Sequence, residues 1–222
     1  MGIFNWFSKP KTFEKCDDAI WMSRKAKWMG IVTEIADQSA AGNRVLLVAH
    51  FPDTTAQACE ILQRMNVAFV EEKQRWDSGD ISRFTKHKDR LPFVILAESL
   101  PDTPGRQQPH LVDEREPAFS VMVLERHLLS SEDERVARFA ESLPGRSRLQ
   151  FFQSLEDPLM QVFAGDSVRK TLERLGVSQD ERIENPMLSR LVQAAQQKAQ
   201  KQALGNARAE SAESWMASNM PS

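Results

Sequence analysis

Apolar side chains return every three to four residues between Ser23 and Ala40, with Met29, Val32, Ile35 and Ala36 on one side and Gly42-Asn43 just beyond. That spacing predicts a helix with a clear stop. The next run, VLLVAHF over 45–51, is apolar at successive positions and has strand length. Asp53 or Thr54 is placed to cap a helix whose Ala58, Leu62 and Met65 share a face, and VAFV over 67–70 reads as a second strand. These pieces form a β-α-β unit. The alternation continues with a short helix over 80–88, a strand at FVILA (93–97) and a loop over 99–117 containing four prolines. A loop of that length inside a domain is either functional or flexible. A fourth strand follows at FSVMVLE (119–125). Ser131 and Glu134 then read as a capping box for a helix with Val136, Phe139, Ala140 and Leu143 on one face, ended by Pro144-Gly145. RLQFFQ (148–153) is the last strand.

The runs VLLVA, FVILA and VMVL are continuous rather than alternating, as strands covered on both faces must be, and parallel sheets are built from such strands. With helices between them, the expected class is α/β, a mostly parallel sheet flanked by helices. Beyond the sheet, Asp157-Pro158 begins a short helix and Asp166 can cap another with Val168, Leu172 and Leu175 in line. Asn185-Pro186 opens a longer helix carrying Leu188, Leu191, Val192, Ala195 and Ala199. The expected organisation is an irregular leader over 1–19, the α/β domain over 20–156, a helical extension over 157–204 and a polar, disordered tail over 205–222.

Charge and composition narrow the functional classes. The chain has 222 residues and a formal net charge of -2, so no basic field supports nucleic-acid binding. Cys16 and Cys59 lie far apart without a C-x-x-C pair, which fits a reducing compartment and suggests neither zinc nor a disulfide framework. No run approaches the roughly 20 apolar residues of a membrane span. MGIFNWFSKPK has no charged region before its apolar residues and makes a poor signal peptide, so the cytoplasm is the expected location. The four histidines are scattered, and no Ser-His-Asp order or metal-ligand spacing occurs. Neither nucleophilic catalysis nor a metal or other cofactor is expected.

From residue 149 on, several motifs follow in order: Phe151-Phe152, Ser154-Leu155-Glu156-Asp157, Leu159-Met160, Phe163, Leu175-Gly176 and Ile183-Glu184-Asn185-Pro186. This series resembles the junction in SecA, the bacterial protein-translocation ATPase, where the second RecA-like motor domain passes into the helical scaffold. Upstream, residues 17–70 are similar to the entry of the same motor domain, and Val123-Leu124-Glu125-Arg126-His127 resembles its T-E-R-H segment. The resemblance covers about residues 17–200. It implies a RecA-like fold and a link to protein translocation.

The departures from that pattern bear on activity. No G-x-x-x-x-G-K-[ST] occurs in the chain, and the family's first motor domain has no counterpart in it. The family's M-A-G-R-G-T-D-I is reduced to Pro104-Gly105-Arg106, without the Thr-Asp. Its Q-L-R-G-R-S-G-R-Q-G run becomes DERVARFAESL, which keeps Arg135 and Arg138 but not the glycines. In phosphoryl transfer, glycines let the backbone approach phosphates and arginines neutralise developing charge. The resemblance therefore implies a chain that is not an ATPase by itself, with Gly105, Arg106, Arg135 and Arg138 as vestigial nucleotide contacts. Arg135 and Arg138 also fit a solvated helix face, and Gly105-Arg106 fits loop punctuation.

Other candidates carry two readings each. His50 follows a strand's carboxyl end, where α/β sheets bind ligands, but a lone His is commonly structural. Glu125-Arg126-His127 fits either a retained family role or an ion pair at a strand end. Ile3, Phe4, Trp6 and Phe7 suit either peripheral contact with the inner face of a membrane or docking on their own domain. The helix from 186 packs on the sheet or presents a partner-binding face. Three function classes result. The first is a non-catalytic SecA-like adaptor with a protein partner (a translocation motor, channel or preprotein). The second is a half-site completing an ATPase in trans. The third, least supported by charge, is a helicase-like nucleic-acid module. A homo-oligomer supplying the missing half is a further arrangement.

Overall fold

The computed structural model describes residues 13–87, 89–102, 118–174 and 176–221. Its centre is a sheet of β3 (Arg44–Ala49), β4 (Val70–Glu72), β5 (Phe93–Leu96), β6 (Phe119–Val123) and β7 (Ser147–Ser154), ordered β4-β5-β3-β6-β7 and parallel throughout. The connecting helices are α1 (Arg24–Ala40), α2 (Pro52–Arg64), α3 (Ser78–Lys86) and α4 (Ser130–Ser142). The continuous apolar runs are explained by two cores. Leu46, Val48, Ile95, Val121 and Phe151 face Trp76, Phe84 and Phe139 on one side. Val45, Leu47, Val94, Met122 and Phe152 face Trp28, Ile31 and Leu62 on the other. The α/β class and mostly parallel sheet are as expected.

The leader differs from its reading. Residues β1 (Phe13–Lys15) and β2 (Ala19–Trp21) pair in parallel with successive parts of β7, and β8 (Ile183–Glu184) closes that side antiparallel to β2. Ala19, Ile20 and Trp21 are buried. Three-residue strands are too short to show a period, and their place is set by the exposed edge of β7. Gly30 in α1 lies directly over Trp21: a Cβ there would meet the indole Cζ2 at 2.2 Å.

Helix starts also differ in detail. Ser23 caps α1, its Oγ accepting from the Ala26 N–H at 3.1 Å. The Ser131–Glu134 capping box does not form, because α4 begins two residues earlier, with Leu129 at the cap. Neither Asp53 nor Thr54 is the cap of α2; Phe51 holds that position and Pro52 the first turn. The strand read at 67–70 pairs over Val70–Glu72 instead.

Beyond β7 come α5 (Pro158–Phe163), α6 (Gly165–Arg174) and α7 (Pro186–Gln202), the last capped by Asn185. A third core joins them to the sheet's end through Ile20, Phe51, Leu128, Leu159, Val192 and Trp215. The tail expected to be disordered folds back instead. Residues 203–211 run as an irregular strap into α8 (Ala212–Asn219), whose Trp215 is 1% exposed. Its polar composition hid this, since few of its residues are buried: Ala212, Trp215 and Asn219.

Candidate functional site

Parallel pairing brings the carboxyl ends of β3 and β6 side by side. β3 delivers His50 and Phe51 there, and β6 delivers Glu125, Arg126 and His127. Glu125 holds the start of α2: Oε1 accepts the N–H groups of His50 and Phe51 at 3.0 and 3.2 Å, and Oε2 accepts the Thr54 hydroxyl at 2.6 Å. These are donors that a helix start leaves unsatisfied. Burial pushes the Glu125 carboxyl up, and the Thr54 hydrogen bond partly offsets it.

Arg126 lies between two buried carboxylates. Its Nε donates to Asp18 and its Nη1 to Asp133, each at 3.0 Å, while its plane sits 3.8 Å over the Phe151 ring. Asp133 also accepts the His127 N–H at 3.0 Å and the Gln196 amide at 2.7 Å. His50 Nε2 stands 2.9 Å from Asp133 Oδ1, but off the line of a well-formed hydrogen bond. Burial works against an ionised Asp133; the His50 and Arg126 contacts outweigh it and hold the carboxyl below its ordinary range. Burial, reinforced by His50, lowers His127 to about 3, so its ring is neutral at pH 7. The His127 Nδ1 accepts the Leu129 N–H at 3.0 Å, which leaves the proton on Nε2.

A second knot explains the Ser154-Leu155-Glu156-Asp157 turn. Lys27 of α1, 4% exposed, places Nζ 2.8 Å from Asp157 Oδ2 and 3.2 Å from the Leu124 carbonyl. Asp157 accepts the Ser154 N–H and hydroxyl at 2.8 and 2.9 Å. Glu156 accepts the Arg24 N–H at 2.9 Å, at the first turn of α1. The turn therefore clamps the start of α1 to the end of β7.

A cavity of about 500 Å³ lies at the carboxyl edge among His50, Phe51, His127, Arg135 and Trp215, roofed by residues 206–210 of the strap. Arg135 stands on its rim, paired with Glu132 at 3.2 Å and Asp102 at 3.6 Å. Arg138 is exposed on α4, so the two arginines do not converge. Gly105, Arg106, Ile3, Phe4, Trp6 and Phe7 lie outside the described residues. His50 has partners, contrary to its reading as a lone histidine. The sequence did not single out Asp18, Lys27, Asp133, Gln196 or Trp215. Asp157 was marked by a local signal, the Ser154–Asp157 motif. Among the described residues no group of three or more His, Cys, Asp or Glu is arranged to hold a metal, and no helix is long and apolar enough to cross a membrane.

No family model matches the chain. The protein translocase subunit SecA of Sorangium cellulosum is 26% identical over 233 aligned residues, covering 87% of this chain and 23% of that protein. SecA of Clostridium tetani is 27% identical over 188 residues, covering 82% and 22%, and SecA of Sulfurimonas denitrificans is 27% identical over 193 residues, covering 83% and 21%. The solved structure of the C-terminal part of the Fun30 ATPase domain superposes with a TM-score of 0.42 at 12% identity, over 78% of this chain and 54% of that one. The chain spans about a fifth of the length of the SecA proteins it matches. Over most of its length this chain resembles SecA, and the part shared is the second motor domain with the start of the helical scaffold.

Proposed function

We propose that this chain is a non-catalytic interaction protein built on a SecA-type motor domain, and that it acts in protein translocation by binding a protein partner. The observation that carries this reading is the state of the carboxyl edge. Its charged groups are engaged with one another in the buried Asp18–Arg126–Asp133 array, and the strap closes over what remains. Of the two arginines that the resemblance relates to nucleotide, Arg135 is paired with Glu132 and Asp102, and Arg138 turns to solvent. The partner classes implied by the SecA relatives are a translocation motor, a membrane channel or a preprotein. The setting is the cytoplasm, with peripheral contact at the inner face of the membrane through Ile3, Phe4, Trp6 and Phe7.

The test is affinity capture of the tagged chain at native level, with mass spectrometry of what is recovered, alongside nucleotide hydrolysis by the purified chain. Recovery of a translocation motor, channel or preproteins, without hydrolysis, is the expected result. Recovery of the chain alone would sink the translocation reading, and turnover of ATP by the purified chain would sink the non-catalytic one.

The position of Arg135 on the cavity rim favours a second reading, a half-site that completes an ATPase in trans. It requires that the double variant Arg135→Ala and Arg138→Ala abolish stimulation of the partner; unchanged stimulation excludes it.

A further inference from the structure

The strap and α8 lie on the outer side of the third core, with the anatomy of a protein–protein interface: an apolar centre and a polar rim. One large aromatic, Trp215, is buried to 1% and stands edge-on to His127 with ring centres 5.4 Å apart. Ala212, Met216 and Met220 pack beside it, and the outer contacts are polar and lie at the surface: Glu213 with Arg24 at 3.2 Å, Arg208 with Glu98 at 3.1 Å, and Asn206 with Glu132 at 3.0 Å. A central aromatic anchor inside a polar rim is how binding energy concentrates at interfaces.

The strap also satisfies its own polar groups. Asn219 accepts the Ala207 N–H at 2.6 Å and donates to the Ala207 carbonyl at 3.1 Å, the Leu204 N–H reaches the Asn219 carbonyl at 2.7 Å, and the Trp215 indole donates to Asn206 at 2.9 Å. Ser211 and Ser214 cap α8 reciprocally. Among the described residues, one backbone hydrogen bond joins the strap to the sheet domain, from the Asp53 N–H to the Glu210 carbonyl at 3.0 Å. Lifting the strap therefore strands few buried donors or acceptors, which is the cost that normally locks an element in place. The seat is also incompletely filled, since the cavity of about 500 Å³ stays open beneath the strap.

We propose that residues 203–221 are a displaceable internal ligand, and that the seat beneath them is the docking site for a short helical segment of a protein partner bearing one large aromatic side chain. The strap is the observed instance of such a segment. The aromatic wall of Phe51, His50 and His127 receives the ring, and the mixed charges of Arg135, Glu98 and Glu132 receive polar ends. This proposal rests on the interaction reading above and names the chemistry of its partner.

The probe is a labelled synthetic peptide with the sequence of residues 203–221, titrated against the full chain and against the full chain carrying Trp215→Ala. Binding to the variant at least tenfold tighter than to the unaltered chain is expected, and a peptide with its own Trp replaced by Ala should lose that gain. Equal binding to both chains, with the variant's cooperative melt retained, overturns the proposal. Hydrogen exchange on the unaltered chain tests it where the variant does not fold. Amides of α8 should exchange at least 100-fold faster than those of β3 and β6, while the strands stay protected. Exchange of α8 together with the strands in one step overturns it. Peptide binding combined with capture of no translocation component would sink the translocation reading and leave the seat standing.

Discussion

Arg126 and Asp133 meet at 3.0 Å with side chains each 4% exposed, and the same guanidinium holds Asp18 on its other side. The array ties together the leader, the end of β6 and the first turn of α4. Removing the cation would leave two carboxylates buried without compensation. Arg126→Ala is therefore expected to cost about 3–5 kcal/mol. Arg126→Lys should recover only part, because a single ammonium cannot reproduce the fork. Urea unfolding followed by circular dichroism measures both; a loss under about 1 kcal/mol for the alanine variant would show that the array contributes little.

Stability should fall on acidification, beginning well above the carboxylate range. His127 titrates near 3 in the fold because burial, reinforced by His50, disfavours its charged form, against an ordinary value of 6.5. Between those values the unfolded chain binds a proton that the folded chain does not, so stability rises with pH across the window, by at most about 1.4 kcal/mol per pH unit from this group. Asp133 has a lowered folded value against an ordinary 3.8, and its contribution is lost only below that. His127 alone should lower the unfolding free energy by about 2–3 kcal/mol between pH 7 and pH 4.5, and the buried Glu125 and Asp18 carboxyls, pushed up by burial, oppose part of that loss. The comparison is with His127→Gln, which should lose less stability on acidification than the unaltered chain; identical profiles for the two would mean that His127 is not the source of the dependence.

The central sheet was legible because VLLVA, FVIL and FSVMV leave no polar face, and only a layer on each side can cover them. The edge strands were not, since Phe13–Lys15 and Ala19–Trp21 owe their conformation to β7, more than a hundred residues away. Helix starts failed where a distant group replaced the local cap, as Glu125 does for α2. The site was hidden for the same reason. Arg126 finds Asp18 across 108 positions and Asp133 across 7, and neither spacing is a motif. Trp215 carried no signal in a polar tail because its seat is made of other segments.

Gly30→Ala tests the packing of α1 on β2. The added methyl would stand 2.2 Å from the indole of Trp21, which is 2% exposed and stacked on Phe152. Helix propensity alone would favour alanine by roughly 1 kcal/mol. Overpacking of about 1–3 kcal/mol opposes it, and a net loss of stability is expected. A raised melting temperature would show that Trp21 has room to move.

Arg135 and Arg138 should separate in their effects on the fold. Arg138 is exposed, and Arg138→Ala should leave stability within about 0.5 kcal/mol. Arg135 is 17% exposed with two carboxylate partners, and Arg135→Ala should cost up to about 1 kcal/mol. Thermal melts of the single variants check this. A large loss at Arg138 would place its side chain in a contact absent from the structure.

The short strands at the two ends of the sheet limit how anything can associate with it. On one side the outermost strand is β4, three residues long with Glu71 and Glu72 in it and Lys73 next, and on the other they are β1, three residues long, and β8, two residues long and running against its neighbour. None offers a long row of free backbone groups on which a further strand could template. A partner is left with side-chain recognition on the helical layers or the carboxyl edge, and the sheet is poorly suited to growing into a fibre.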